Sequence, residues 1–330
     1  MKSFEIGKND ANQRLDKFIS KAVPLLNPPL MYKYIRTKRI KLNGSRAEIS
    51  SRLKVGDRID MYINDEFFAP VKEEYDFLKA SKNLKIVYED ENILLLDKSV
   101  GLLSHPDDRE YNDTLITRVK RYLYEKGEFN PKDEFSFAPA LVNRIDRNTG
   151  GIVIAAKNAE SLRILNEKLK NREIEKFYLL VVHGTMKEMC GTLTGYMTKD
   201  ESKNKVTVFS HPVTGGKEMK TKYRVIREKG GLSLIEAQLL TGRTHQIRAQ
   251  FAAAGHPLMG DGKYGTNKVN KPYGYKKQFL YSYKLIFDFT TDAGLLNHLC
   301  GKEFAVEDVW FSREFDEIAA KSCKNDKNSL

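Results

Sequence analysis

The chain has 330 residues, 41% of them hydrophobic and 10% aromatic, which is room for two or three domains with ordinary cores. Its formal net charge of +12 points to a polyanionic partner and says nothing of the fold. No apolar run approaches the roughly eighteen residues of a membrane helix, residues 1–8 lack the apolar core of a signal peptide, and Cys190, Cys300 and Cys323 are odd in number and far apart, so a membrane protein, a secreted disulfide scaffold and a zinc protein are all disfavoured and a soluble cytoplasmic chain without a metal is expected.

The charge is uneven. Residues 12–63 carry twelve Lys and Arg against Asp16, Glu48, Asp57 and Asp60, a net +8 in about a sixth of the chain. Arg14 to Ile19 opens an amphipathic helix, Pro28-Pro29 introduces a second running through Tyr34 and Ile35, Ile40-Lys41-Leu42 reads as a short strand entering the Asn43-Gly44 turn, and Leu53 to Ile59 returns as turn and strand. Helix, helix, basic strand, turn and final strand resemble the alpha-L RNA-binding module of a small-subunit ribosomal protein and of several RNA-modifying enzymes, here placed at 12–75. The resemblance implies RNA contacts from Lys33, Arg36, Lys38, Arg39 and Lys41.

Residues 64–83 are mixed and charged and read as a linker. Beyond it, 84–88 and 93–98 look like paired strands across the polar turn 89–92. Asn158 is a plausible cap for a helix over 159–172, with Leu162, Leu165 and Leu169 on one face. Strands are predicted at 177–182, 221–226 and 232–237, and a helix at 244–254. A large domain over 84–315 and a mobile tail over 316–330, polar and aperiodic from Lys321 onward, complete the organisation.

Asp146 lies in Leu141-Val142-Asn143-Arg144-Ile145-Asp146-Arg147-Asn148-Thr149-Gly150-Gly151, between two arginines and ahead of the apolar run 152–156. That run reads as a buried strand and the glycines as a tight turn feeding it, so the acid sits on a fixed loop at a strand edge. Nearby positive charge favours its charged form, placing it to act as nucleophile or base. Taken alone, the stretch reads more readily as a surface loop with paired charges.

Two further segments change that balance: Glu175 to Gly184 with Tyr178, and Leu240-Thr241-Gly242-Arg243-Thr244-His245-Gln246-Ile247-Arg248 with its continuation through Gly260-Asp261-Gly262 to Gly265. Together the three closely resemble the RluA/RluC/RluD-type pseudouridine synthases over roughly residues 84–310. The resemblance implies a mixed α+β fold: a central antiparallel sheet with flanking helices as the catalytic domain, plus the small N-terminal RNA-binding module. It implies Asp146 as catalytic carboxylate, Tyr178 packing against the target base, and Arg248 pairing with Asp146. Arg144, Arg147, Arg243 and His245 would line the cleft as phosphate and base contacts. His105 and His256 have no nameable partner and are read as structural. Asn143 and Gly151 stand where a His and a Ser are commoner, and Ser99 replaces the usual proline after Lys98.

Uridine isomerisation needs no redox change and no net hydrolysis, so no cofactor is expected. RNA is the expected partner, 23S large-subunit ribosomal RNA ahead of transfer RNA from the resemblance alone, and the enzyme is expected to work as a monomer. A ribosome assembly factor that kept the fold without the reaction would lack the aspartate or the closing arginine, and both are present. A hydrolase would need a nucleophile elbow of the GxSxG type, which does not appear.

Overall fold

Residues 1–63 close around a core of their own, made by Phe4, Leu15, Phe18, Ile19, Ile35, Ile40, Leu53 and Ile59 with their neighbours. The computed structural model describes residues 1–68, 75–108, 110–202, 204–266, 270, 273–275 and 277–320. Helix α1 (Leu15–Ala22) packs against α2 (Pro28–Arg36), whose entry follows from local chemistry: the Asn27 side chain accepts from Leu30 N–H, and proline occupies the first turn where no donor is needed. Strands β1 (Lys2–Glu5), β2 (Ile40–Leu42), β3 (Ser45–Arg46) and β4 (Arg58–Met61) form an antiparallel sheet in the order β1-β4-β2-β3. Two expectations shift. The turn and strand expected over Leu53–Ile59 are a turn at 55–56 and a strand that begins at Arg58 and runs on to Met61, and the sheet begins ahead of residue 12, because Phe4 turns into the core 5.8 Å from the Phe18 ring.

The larger sheet has eleven strands. Along its main path run β11 (Lys205–Phe209), β10 (Cys190–Asp200), β12 (Lys217–Lys229), β13 (Leu232–Leu239), β9 (Ile174–His183), β14 (Leu280–Phe287), β8 (Gly150–Ala156), β6 (Ile93–Lys98) and β5 (Ile86–Glu89). β7 (Ala140–Leu141) pairs with β8, and β15 (Glu303–Ala305) with β14. Every pairing is antiparallel except β14 with β8. Helices cover both faces where β6 and β8 run: α3 (Leu115–Glu125) packs on Leu94, Leu96, Val153 and Ala155, and α4 (Ala159–Lys170) on Ile93, Leu95, Ile152 and Ile154. A strand covered on both sides needs apolar residues at successive positions, which is why these two segments are unbroken apolar runs without alternation. The expected cap is present, with Asn158 accepting from Ser161 N–H.

The two sheets belong to units that touch. Asn9 Nδ2 donates to Glu134 Oε1 at 2.7 Å and Asn9 Oδ1 accepts from Ala159 N–H. Gln13 Nε2 donates to Ser136 Oγ, whose hydroxyl donates to Asp10 Oδ1. Between these polar contacts Phe135 stands edge-on to Phe4 at 5.2 Å. The connecting segment is anchored at both ends: Phe67 and Phe68 pack on the N-terminal core, Tyr75 and Phe77 on the larger one, and 69–74 lie outside the described residues.

The tail expected over 316–330 does not include residues 316–320. Phe315, Ile318 and Ala319 are buried against Val309, Phe311 and Phe279, an apolar pattern at helical spacing that the polar composition further on obscured. Residues 321–330 lie outside the described residues.

Candidate active site

Asp146 occupies the connection between β7 and β8, with its carboxylate 26% exposed. The turn there closes through Thr149 N–H on Asp146 O at 3.0 Å, so it is made by Arg147 and Asn148. The glycines expected to form it are instead the first residues of β8. Gly151 has φ +112°, and a Cβ there would lie 2.1 Å from Ser282 O, so the parallel approach of β14 admits no side chain. This accounts for glycine where a serine is commoner. Asn143 also has a function in the loop: its Oδ1 accepts from Ile154 N–H at 2.8 Å and ties the chain before Asp146 to β8.

A second tie comes from Lys98, fully buried at the end of β6. Its Nζ donates to the carbonyls of Ser99 (3.1 Å), Leu102 (2.7 Å) and Arg147 (3.1 Å), joining the loop after β6 to the Asp146 loop. Burial presses the Lys98 amine down to about 7, opposed by the charges of Asp146 and Asp97. Three carbonyl acceptors match the three N–H donors of an ammonium, the form this geometry holds.

Arg248 projects from α5 (Gln246–Ala253). That helix lacks an ordinary amphipathic division, because Gln246, Ile247, Arg248, Ala249, Gln250 and Phe251 are all buried. Its polar residues are satisfied by neighbouring elements. Gln246 accepts from Thr241 Oγ1 and donates to Lys220 O, while Gln250 accepts from Thr221 Oγ1 and donates to Leu193 O. With the helix so fixed, Arg248 Nε and Nη2 donate to the two oxygens of Asp261 at 2.7 and 3.0 Å, and Nη1 reaches Asp146 Oδ2 at 2.7 Å. Asp261 also accepts from the Lys263 and Tyr264 N–H groups. Gly260, φ +74°, lets the chain enter this turn, since a Cβ would lie 2.1 Å from Lys277 O. Burial alone would lower the Arg248 guanidinium, but the hydrogen bonds and charge of Asp261, with Asp146 adding, hold it above its ordinary value. Burial alone would raise Asp261, and Arg248 holds it low.

His245 precedes α5 with φ 54° and ψ 21°, a left-handed conformation uncommon outside glycine. Its Nδ1 lies 2.9 Å from the Tyr264 hydroxyl, which accepts from Val206 N–H and so has its own proton to donate to His245. The hydrogen of a neutral ring then sits on Nε2, 3.9 Å from Asp146 Oδ2. Burial pushes His245 below its ordinary value, with Asp146 opposing and Arg248 reinforcing. Tyr178, on β9, is 6% exposed, and burial pushes its phenol up to about 12 while a hydrogen bond with Ser282 opposes the rise.

The structure therefore brings Asp146, Arg248, Tyr178 and His245 together. Arg147 flanks the loop with its Nε on Gly101 O, and Arg144 and Arg243 are exposed, the latter donating to Glu218 O. Lys33, Arg36, Lys38 and Arg39 are exposed at the end of α2 and the turn into β2, with Lys41 half-buried over the Tyr62 ring. His256 bonds His183 O, as a structural histidine does. Among the described residues, His105 Nδ1 is the buried side-chain polar atom without a partner; burial and the charges of Arg144 and Lys120 hold that ring low. Asp261, Tyr264 and Lys98 were not singled out from sequence. The first two lay inside a segment already quoted, and an acid between two glycines, thirteen residues beyond the arginine, was the available signal.

Two families match the chain: RNA pseudouridylate synthase over residues 92–253, and the S4 domain over 13–59. An uncharacterized RNA pseudouridine synthase of Mycoplasma genitalium, MG370, is 35% identical over 293 residues, 86% of this chain and 88% of the relative. Ribosomal large subunit pseudouridine synthase C of Rickettsia felis is 30% identical across 90% of this chain and 92% of its own. The D enzyme of Borreliella burgdorferi is 31% identical across 76% of each. The solved structures of human RNA pseudouridylate synthase domain containing 1 and 4 share the fold, with TM-scores of 0.52 and 0.54 at 19% and 17% identity over 72% of this chain and 96% and 92% of theirs. The chain belongs to the RNA pseudouridine synthase family, of the RluA type with an N-terminal S4 module, and is an isomerase of RNA uridine. The mixed α+β fold expected from sequence is the fold observed. Among the described residues no helix is long and apolar enough to cross a membrane.

Proposed function

We propose that Asp146 is the catalytic carboxylate of this synthase, held by Arg248, and that the substrate is large-subunit ribosomal RNA. The observation that carries the site is the Arg248 guanidinium spanning Asp261 and Asp146, two carboxylates from distant parts of the chain, with its Nε–Nη2 edge given to both oxygens of the buried Asp261 and Nη1 donating to the more exposed Asp146. An arginine so held is a fixed positive charge that orients Asp146 without competing for substrate.

In the reaction the C1′–N1 bond breaks, the freed base turns, C5 bonds to C1′, the C5 proton leaves and N1 takes one up, with no net change in atoms. Asp146 can serve by attack at C1′, attack at C6, or removal of the C2′ proton, and all three require an anionic oxygen directed at the nucleotide. The target uridine must leave its stack, at a cost of a few kcal/mol in paired RNA. Tyr178 forms the floor that receives it; aromatic stacking contributes about 1 to 3 kcal/mol. With its phenol pushed up to about 12, it keeps its proton near neutral pH, so it supports the base and does not deprotonate it. The exposed cations of α2 and of the turn into β2, with Lys41, grip the RNA backbone at the S4 module, and Arg144, Arg147, Arg243 and His245 surround the nucleotide. In this reading residues 12–75 bind and 84–315 catalyse.

The ribosomal assignment is supported by the names of the Rickettsia and Borreliella relatives. Pseudouridine mapping of ribosomal and transfer RNA from a deletion strain tests it. One or more large-subunit positions should revert to uridine and be restored by the gene. Reversion confined to transfer RNA would overturn the assignment.

A further inference from the structure

At the start of β9, where Lys176 stands two residues before Tyr178, a cavity of about 410 Å³ opens between the end of α4 and the connection from β13 to α5. Lys170, Arg172, Lys176, Lys220 and Arg243 line it, with Glu175 as the acidic residue in the wall. That acid is occupied, its Oε1 accepting from Gln238 at 2.8 Å. Lys220 is paired with Glu218, and Arg243 donates to a main-chain carbonyl. Lys176 differs from both: among the described residues its Nζ has no hydrogen-bond or ion-pair partner, and Gly242 lies alongside it, where a Cβ would stand in ordinary contact at 3.7 Å. A half-buried ammonium without a partner is costly unless an anion completes it.

We propose that this cavity is a phosphate subsite, in which Lys176, supported by Arg172 and Lys220, takes a phosphodiester of the RNA strand that carries the target uridine. The proposal rests on the reading of Tyr178 as the floor of the base pocket. Lys176 is two residues from Tyr178, roughly 7 Å along the strand, so a base seated on one places its own strand's backbone within reach of the other. Burial lowers the Lys176 ammonium, and a bound phosphate restores it. The subsite distinguishes a strand threaded along β9 from RNA held only at the S4 module, and gives the catalytic unit its own grip on substrate.

The test uses full-length enzyme in excess over total RNA from a deletion strain grown on 5-tritiated uridine, so that the natural substrate is present whichever RNA it is. Tritium release gives the single-turnover rate at saturation and the half-saturating enzyme concentration, each measured across a salt series. For Lys176→Met, half-saturation should rise roughly five- to tenfold, by more than the rate falls, and the log–log salt slope should fall by about 0.7 to 0.9, the share of one phosphate. Lys176→Arg should recover most of the affinity. Lys187→Met, an exposed lysine between β9 and β10, should match wild type in both. If Lys176→Met does not fold, Arg172→Gln/Lys220→Gln on the rim should lower the slope by about twice that amount. An unchanged half-saturation and slope in a folded variant overturns the subsite, as does a loss confined to the saturated rate, which would place Lys176 in the geometry of Tyr178 instead. Failure of the Asp146 reading is separate, since it appears as turnover by Asp146→Asn and leaves these slopes alone.

Discussion

Asp261 takes two of the three nitrogens with which Arg248 bonds, and its carboxylate is wholly buried. An arginine held along one edge by a bidentate acid has little rotamer freedom left, so Nη1 is directed at Asp146 in one orientation. Asp261→Asn keeps the shape but turns a donor amide toward a donor guanidinium and leaves the buried cation with one partner fewer. Because misplacing a reacting group by about 1 Å can cost on the order of 10²-fold, the single-turnover rate should fall about that much, with a smaller change in half-saturation and a lower melting temperature. A folded Asp261→Asn enzyme with the wild-type rate would show that Asp146 needs no such support. Asp146, Tyr178 and Arg248 were legible in sequence because each stands in a short ordered motif. Asp261 and Lys98 were not, because their importance lies in partners supplied by a turn and by three main-chain carbonyls, which no residue pattern records.

At the scale of elements, α4 and β9 are joined by a buried ion pair. Lys168 Nζ lies 2.7 Å from Glu173 Oε2, and Glu173 also accepts from the Thr290 and Thr291 N–H groups while Lys168 donates to Thr291 O. The hydrogen bond from Lys168 holds Glu173 down to about 2 against an ordinary value of 4.5. In the unfolded chain this carboxyl takes up a proton as pH falls through about 4.5, whereas the folded chain resists until about 2. The stability the carboxylate contributes is thus complete above 4.5 and lost as pH falls between the two values. Denaturation midpoints measured from pH 2 to 6 should fall on the acid side, with a shallower fall in Glu173→Gln. Parallel curves would remove Glu173 from the acid transition. Strand and helix positions were largely legible, since cap and periodicity agree at Asn158 and along α4. The glycine pair was misplaced because a turn and a close strand approach demand the same residue, and only the arrival of β14 at Ser282 distinguishes them.

At the scale of the molecule, the S4 module is docked and not merely tethered, through Asn9, Asp10, Gln13 and the Phe4–Phe135 contact. The residues that make the dock lie ahead of or at the edge of the recognisable module, where the sequence carries neither charge excess nor helical period. Docking sets the exposed cations of α2 and of the turn into β2 in a fixed relation to the sheet that holds Asp146, so that in the proposed function binding at one end would position RNA for chemistry at the other. The proposed function rests on one carboxylate, and its most direct test is Asp146→Asn, which keeps size and hydrogen-bonding shape and removes the charge. Assayed by tritium release from 5-tritiated uridine RNA alongside melting temperature and RNA affinity, the variant should be folded, bind RNA within about twofold of wild type, a difference of under about 0.5 kcal/mol, and release no tritium. Sustained release above a few per cent of the wild-type rate would contradict the assignment of Asp146 as the catalytic residue.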